Sequence, residues 1–334
     1  MCVTTAVVNG NDHDFGHIES VPLSLHKQAC KSLPSEMIDL STVQHLTKNQ
    51  QDELLNLLDH YAGCFTDGPG FTNVVSHSIP LMEGFRPKRL PVYRVPEKLK
   101  PEVNRQIQEN LANNIIKPSE SPMASPLVCV MKGKDGSDGV KLAVDYRYVN
   151  KFTHNDAFPM PDLQSIFQSV SKSGFISLCD CRSAYWQLET KESDRWLTPF
   201  VCDMGLFEFN RVPYGLKNSG SSFVRAITQV LNPINDVAKS FVDDVAVYSK
   251  MWRDHMCDLE KFLKTIELSG LTLNFRKCKW AQKQVRFCGK IIGSGQILAD
   301  PEKLSVLDKM NQPRTKKGSE TDARFLWIFQ GSYP

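Results

Sequence analysis

The sequence predicts an α+β fold built on a ferredoxin-like βαββαβ core. Apolar runs of strand length occur in hairpin pairs from Pro126 onward. The helical segments between them carry apolar residues at i, i+3 and i+4, so each has one face to lay on a sheet. Helices and strands mix without the regular alternation that a parallel sheet requires. At 334 residues the chain has room for two domains, or for one with an extension. An apolar fraction of 41% and a charged fraction of 23% are those of an ordinary globular protein.

Residues 1–46 are polar and weakly periodic, and read as a linker or loosely ordered arm. Residues 47–65 read as a helix capped by Thr47, with Leu54, Leu58, Tyr61 and Phe65 on one face. Asp67-Gly68-Pro69-Gly70 breaks that pattern. Residues 96–116 form a second amphipathic helix through Val103, Ile107, Leu111 and Ile115, and Pro101 fits it only in the first turn. Residues 127–131 and 141–146 bracket a basic, glycine-rich turn and read as a hairpin. A short helix over 162–170 precedes a strand over 175–181. Strands near 197–202 and 206–212 lead to a helix over Ser219–Leu231. Two buried strands then flank Asp243-Asp244, followed by a helix over 252–268 that Gly270 stops. A last hairpin over 285–297 turns at Gly293-Ser294-Gly295.

The chemistry gathers at Phe241-Val242-Asp243-Asp244, two adjacent carboxylates where buried strands must turn. Turns ordinarily take Asp beside Gly or Asn. Neighbouring carboxylates repel, and a divalent cation offsets them through hard oxygen ligands. A solvated hairpin turn is the alternative for such a pair alone. Asp180 ends an apolar run upstream, just before a turn of small residues. Only a fold that lays the two strands side by side brings it to Asp243 and Asp244. Three carboxylates there would hold two divalent ions about 4 Å apart, an arrangement suited to in-line phosphoryl transfer. Cys179 and Cys181 flank Asp180 and, by alternation, take the opposite, buried face. Val212-Pro213-Tyr214-Gly215-Leu216-Lys217-Asn218-Ser219 runs from a turn into a helix start, and fits either an anionic ligand or a plain capped helix.

Forty basic residues against 37 acidic ones give a net charge of +3, which neither demands nor excludes a nucleic-acid partner. No apolar run is long enough to span a bilayer, and the start lacks the basic region of a signal peptide, so no membrane partner is expected. Ten cysteines without C-x-x-C or zinc-ligand spacing read as reduced thiols in a cytoplasmic protein.

Several motifs stand in one order along the chain. They are the proline-bracketed stretch 118–126, Val144-Asp145-Tyr146-Arg147-Tyr148-Val149-Asn150, Phe158-Pro159-Met160-Pro161, Asp180 with Tyr185, Pro213-Tyr214-Gly215-Leu216-Lys217-Asn218, Phe241-Val242-Asp243-Asp244 and Phe287-Cys288-Gly289. Together they resemble the reverse transcriptase segment of a gypsy-type LTR retrotransposon Pol polyprotein, from about Thr47 to the end. The resemblance implies a right-hand polymerase fold: fingers, a ferredoxin-like palm, an incomplete thumb and a helical N-terminal extension. It divides the chain into an arm (1–46), the extension leading into the fingers (47–112), fingers and palm (113–292) and the start of a thumb or connection (293–334).

The implied activity is RNA-directed DNA polymerisation, adding deoxynucleotides to a primer 3′-hydroxyl on an RNA or DNA template. The implied cofactor is a pair of Mg²⁺ ions, with Mn²⁺ as a substitute, held by Asp180, Asp243 and Asp244. Tyr185 matches the family's sugar gate, which leaves no room for a 2′-hydroxyl, although a tyrosine in an apolar run is as readily a core residue. Tyr214, Gly215 and Lys217 would line the nucleotide and template side, and Lys141 would face the triphosphate. Lys132 and Lys134 in the fingertip turn would reach phosphates, or else be plain solvated lysines. Phe287, Cys288 and Gly289 resemble the hairpin that grips the primer.

Some positions depart from the family pattern. Lys141 replaces an Arg, Asp138-Gly139 is inserted in the fingertip turn, Gly220 replaces a Pro and Val224 a Gln, and a T-K-K-x-x-R-x-F-L motif near 314–326 is interrupted. Two alternatives follow: a truncated or decayed copy that binds nucleic acid without catalysis, or a polyprotein fragment whose ribonuclease H activity lies in a missing downstream domain. Ribonuclease H, integrase and protease domains of the same polyprotein are the implied protein partners, and a virus-like particle or the nucleus are further implied locations.

Overall fold

The computed structural model describes residues 32–131 and 139–301. The described residues start with α1 (Pro34–Met37) and α2 (Lys48–His60). Thr47 caps α2: its hydroxyl accepts from Gln50 N at 3.3 Å, and the Gln50 side chain accepts from Thr47 N at 2.9 Å. β1 (Thr72–His77) follows, then α3 (Lys100–Ala112) with Pro101 in its first turn. β2 (Ile116–Pro118), β3 (Ser125–Met131), β4 (Val140–Val144) and α4 (Arg147–Lys151) come next. Asp162 caps α5 (Leu163–Ser171) through the backbone N–H groups of Gln164 and Ser165. Then come β5 (Phe175–Asp180), β6 (Leu188–Thr190), β7 (Phe200–Cys202), β8 (Gly205–Phe209) and α6 (Ser219–Leu231). β9 (Ala238–Phe241), β10 (Asp244–Ser249) and α7 (Trp252–Ser269) follow, and Gly270 ends α7 with φ 74°. β11 (Lys279–Gln282), β12 (Gln284–Phe287), β13 (Lys290–Gly293) and β14 (Gln296–Ala299) close the described chain.

The site rests on a four-stranded antiparallel sheet of order β11-β5-β10-β9. The strands alternate as a two-sided buried sheet must. Cys179, Val245 and Val247 point to the cluster formed with α2, α6 and α7, which contains Leu58, Phe223, Leu259 and Phe262. Ile176, Leu178 and Ala246 point to the opposite cluster, with Ile166 and Phe167 of α5 and Val285, Phe287 and Ile292 of β12 and β13. Each such residue contributes about 1.5–3 kcal/mol on full burial. A one-residue slip would exchange both faces at once, so the register is tightly set. A second sheet, of order β2-β8-β7-β3-β4, covers its own core of Ile107, Ile116, Leu127, Tyr146, Phe200 and Phe209. β1 pairs with β6 in parallel and packs on α6. No helix among the described residues is long and apolar enough to cross a membrane.

Several expected boundaries move. The stretch expected to be a loose arm is packed over residues 32–46: Val43 and Leu46 are buried, and His45 Nε2 lies 2.8 Å from the Ala281 carbonyl. The helix expected over 47–65 stops at His60, where a 3-10 turn of Ala62–Cys64 takes over and still buries Cys64 and Phe65. The helix expected over 96–116 covers only Lys100–Ala112, because Asn113 and Asn114 break it and Ile116–Pro118 pairs with β8. Asn114 takes φ 53°, a conformation Asn tolerates. The strand near 197–202 shortens to Phe200–Cys202 behind a 3-10 segment, Glu192–Leu197. The last hairpin is a three-stranded meander, with an unexpected first turn at Cys288-Gly289.

Gly70 sits where the segment before β1 crosses the loop after α7. Its N–H donates to Thr272 Oγ1 at 2.8 Å, and Phe71 N–H donates to the Gly270 carbonyl at 2.9 Å. A Cβ on Gly70 would lie 2.4 Å from the Gly270 carbonyl oxygen and 2.9 Å from Thr272 Cγ2. Gly70→Ala is therefore expected to cost about 1–3 kcal/mol in urea denaturation. Gly63→Ala, whose Cβ meets nothing nearer than 3.5 Å, is expected to be near neutral. Equal stabilities for the two variants would show that the loops separate freely.

Candidate active site

β5 and β10 are paired so that Asp244 lies directly opposite Asp180. Both have the strand parity of the Ala246 and Leu178 face, at the end of the sheet where the core runs out. Val242 and Asp243 form the two-residue link between β9 and β10, with Phe241 opposite Asp244. Val242 takes φ 57° and Asp243 does not take a positive φ, the pattern of a type II′ turn that ordinarily puts Gly first. A β-branched residue in that conformation is strained, and such strain persists only where the surroundings enforce it. The Asp243 carbonyl accepts from Cys181 N–H at 2.9 Å, which ties the turn to the end of β5. Asp243 is exposed, while Asp180 and Asp244 are half-buried.

Burial pushes the Asp244 carboxyl up to about 6, and the charges of Asp243 and Asp180 push it further the same way. The Asp180 carboxyl is also raised, mainly by burial with Asp243 adding. Lys277 opposes that rise, its Nζ donating to Asp180 Oδ2 at 3.1 Å. These are hard oxygen donors whose mutual repulsion a divalent cation would relieve, so the donor set fits one. Among the described residues no three His, Cys, Asp or Glu side chains already stand in ligating positions.

Asp243 opens onto a cleft of about 820 Å³, and Lys277, the partner of Asp180, stands on its wall. Val242 and Asp243, Tyr185, Trp186 and Tyr214 form one side, Lys141 and Leu142 of β4 with Arg105 and Gln106 of α3 another, and Asn274 and Lys277 the edge beside Asp180. Gln106 fixes α3 to β4 by donating to the Val140 carbonyl at 2.9 Å. Lys141 Nζ stands 4.2 Å from the Tyr214 ring centre, a cation–π contact that aims the ammonium at the cleft. Tyr185 lies 5.2 Å from Tyr214 and 6.3 Å from Phe223, ring to ring. Burial pushes the Tyr214 hydroxyl up to about 12, so it stays a neutral donor. At Gly220 a Cβ would lie 3.5 Å from the Tyr185 hydroxyl, an ordinary contact, so the space there does not explain the glycine. Val224 is fully buried in α6 and offers no polar contact.

Other expected site residues lie elsewhere. Gly215 and Lys217 do not line the cleft; they brace it from behind. Asn150 donates to the Gly215 carbonyl at 2.8 Å and accepts from Lys217 N–H at 2.7 Å. The Lys217 ammonium is spent on the Thr153 carbonyl at 2.8 Å. Gly215 takes φ 96°, which is why glycine stands there. Phe287 is buried, edge-on to Phe167 at 6.1 Å, and Cys288 and Gly289, with φ 46° and 76°, form a type I′ turn outside the cleft. Lys132 and Lys134 lie outside the described residues.

Two contributors escaped the sequence. Lys277 is one lysine among many, and only the fold brings it to Asp180. Gln187 is fully buried; it donates to the carbonyls of Arg182 (2.8 Å) and Thr272 (3.0 Å) and accepts from Thr272 N–H at 2.7 Å. Its signal was a long polar side chain between Trp186 and Leu188, in a run otherwise fit for the core.

Residues 133–292 match the family model described as reverse transcriptase (RNA-dependent DNA polymerase). The chain is 33% identical over 228 residues to the retrovirus-related Pol polyprotein from transposon opus of Drosophila melanogaster, covering 67% of this chain and 23% of that protein. It is likewise 33% identical over 215 residues to that from transposon gypsy, covering 63% and 21%. The chain thus spans less than a quarter of the length of these relatives. A foamy viral protease–reverse transcriptase in complex with double-stranded DNA has the same fold, with a TM-score of 0.77 at 20% identity over 95% of this chain and 54% of that one. The complex of the foamy viral enzyme with an RNA/DNA hybrid aligns with a TM-score of 0.75 over 95% of this chain and 41% of that one. The fold is therefore the polymerase fold that those structures share.

The raised Asp244 carboxyl makes stability depend on pH. Its folded value, about 6, lies above the ordinary 3.8, so the protonated form favours the fold. That stabilisation is complete below about pH 4 and is lost as the pH rises through about 6. Without divalent cations, Asp244→Asn is expected to be more stable than wild type by about 1 kcal/mol at pH 8, after allowing for solvent screening. The two should match near pH 4. Urea midpoints across this range read the effect, and an unchanged pH slope in the variant would place the titrating group elsewhere.

Proposed function

We propose that this chain, which carries a reverse transcriptase segment of the gypsy type of LTR retrotransposon, extends a primer 3′-hydroxyl on an RNA or DNA template. The observation that carries the reading is the pairing of Asp180 with Asp244 beside the strained Val242-Asp243 turn, which itself lines a cleft of about 820 Å³. In the reaction the primer 3′-hydroxyl gives its proton to solvent, its oxygen bonds to the α-phosphorus of a deoxynucleoside triphosphate, and the bond from that phosphorus to the bridging oxygen breaks, releasing diphosphate.

Asp180 and Asp243 are the direct ligands and Asp244 the third carboxylate of a two-cation site, with Mg²⁺ the ion in our reading. Such ions, when bound, neutralise the phosphates and lower the pKa of the attacking hydroxyl. Lys141 faces the triphosphate as a point charge; it lacks the bidentate fork of an Arg. Tyr185, backed by Phe223 and Tyr214, fills the space a 2′-hydroxyl would need. The Cys288-Gly289 turn, held rigid by Phe287 in the core, is assigned to the primer strand. We divide the chain as its sequence suggested, with fingers and palm over 113–292.

Primer extension on oligo(dT)-primed poly(rA) with Mg²⁺ tests this reading. Asp243→Asn is expected to lower incorporation at least about 10³-fold with an unchanged circular dichroism spectrum. Extension by that variant at the wild-type rate would refute the assignment. Salt-sensitive primer–template binding with no extension by wild type would favour a chain that only binds nucleic acid. Tyr185→Ala is expected to admit ribonucleotides, raising their use relative to deoxynucleotides by about tenfold or more. An unchanged ratio would return Tyr185 to a core role.

A further inference from the structure

A second groove, of about 350 Å³, lies beside the main cleft and is absent from the functional reading so far. The two share Arg182, Asn274 and Lys277 on their walls, so they adjoin at residues that bond to Asp180. Its rim carries three cations, Arg182, Arg276 and Lys277, against one carboxylate, Asp67. Arg276 is exposed and is in no ion pair among the described residues. Phe275 is buried beneath that rim and stacks edge-on against Phe65 at 5.1 Å, which gives the groove a fixed apolar floor. The backbone binds it to the site: Asn274 N–H donates to the Asp180 carbonyl at 2.8 Å, and Arg182 N–H to the Thr272 carbonyl at 3.0 Å.

We propose that this groove binds diphosphate and is its route out of the active site. The inference rests on the polymerase reading. A transfer at Asp180 releases a compact, multiply charged anion while primer, template and nucleotide fill the larger cleft. That anion needs a passage lined with cations, and fixed guanidinium groups recognise phosphate oxygens in pairs. The volume lies at the lower end of small-ligand sites and is too confined for a base-paired strand. The groove begins where the bond breaks, at Lys277 and Asn274, and leads to the exposed Arg276. It commits to the leaving anion and not to the nucleic-acid backbone, which follows open surfaces.

The test uses the whole chain and inorganic diphosphate as the probe. Diphosphate inhibition of primer extension is measured for wild type, for Arg276→Glu, and for Lys279→Glu, which makes the same charge change outside the groove. Arg276→Glu is expected to weaken inhibition about tenfold, and Lys279→Glu by less than about twofold, with primer–template affinity unchanged in both. Equal weakening in the two variants overturns the proposal. So does a parallel loss of primer–template affinity in Arg276→Glu, which would assign the groove to the nucleic-acid backbone.

Calorimetric titration of diphosphate into the metal-free chain separates this proposal from the polymerase reading. If wild type extends no primer, the polymerase reading fails and the groove loses its role as an exit. Diphosphate binding that Arg276→Glu abolishes would still establish the site, and binding that is absent or indifferent to the variant would overturn it.

Discussion

The register between β5 and β10 is the constraint on which the rest depends. It sets Asp180 opposite Asp244 and leaves Asp243 at the tip of a two-residue turn. Like charges opposed on a sheet are destabilising, and here two of them are half-buried as well. The sheet tolerates this because the residues behind them are fully apolar on both faces. Val245, Ala246, Val247 and Cys179 are all fully buried. Slipping the strands by one residue would relieve the repulsion but would turn the buried faces over, at a cost of many such side chains. Hydrophobic burial thus fixes an electrostatically unfavourable cluster, and a bound cation is what would relieve it.

The strands are in turn held by polar groups that the core leaves few alternatives. On the α7 side, Ser177 Oγ lies 2.9 Å from His255 Nε2 and accepts from Ala281 N–H at 2.9 Å, so one hydroxyl links β5, α7 and β11. Ser249 of β10 donates to Asp258 at 2.8 Å. Burial lowers His255 to about 4, so the ring is neutral at physiological pH and both its nitrogens face hydroxyl groups. Gln187 does the same on the loop side, tying Arg182 to Thr272 two residues from Asp180. Each bond contributes only about 0.5–1.5 kcal/mol, but leaving any partner buried and unpaired costs about 1–3 kcal/mol. The network therefore acts less as glue than as a veto on other arrangements.

Much of this was legible in the sequence, and the failures share a cause. Period and capping are local, so α6 and α7 were readable from Ser219, Trp252 and Gly270 alone, and Thr47 marked the start of α2. The carboxylate site was legible because Asp243-Asp244 breaks two apolar runs, a conflict between local pattern and burial that usually marks function. What could not be read was set by distant partners. Ile115 continues the spacing of α3 yet lies beyond its end, and Ile116 pairs with β8, because Asn114 turns the chain first. Val43 and Leu46 sit in a polar stretch of sequence, and only their packing into the core on one face of the four-stranded sheet distinguishes them from an arm. Lys217 carried the charge expected of a ligand contact, but the Thr153 carbonyl claims it. Residue type told which groups could act, and only the fold told which were already taken.

The same distinction governs the charge of the cleft. A net charge of +3 says almost nothing about a site whose field is set by who is paired with whom. Arg105 lines the cleft but donates to Glu102 at 2.7 and 2.8 Å and also pairs with Glu109, so its charge is balanced within α3. Lys141 rests on an aromatic face, which orients an ammonium without neutralising it. Lys277 is shared with Asp180, its ammonium end exposed and the carboxylate half-buried. On the proposed reading, a cation held by Asp180 would free the Lys277 ammonium to interact with an anion in the cleft. On the proposed reading the acidic strand ends and the cations around them would exchange partners, so that a cation bound at the carboxylates would favour an anion beside it.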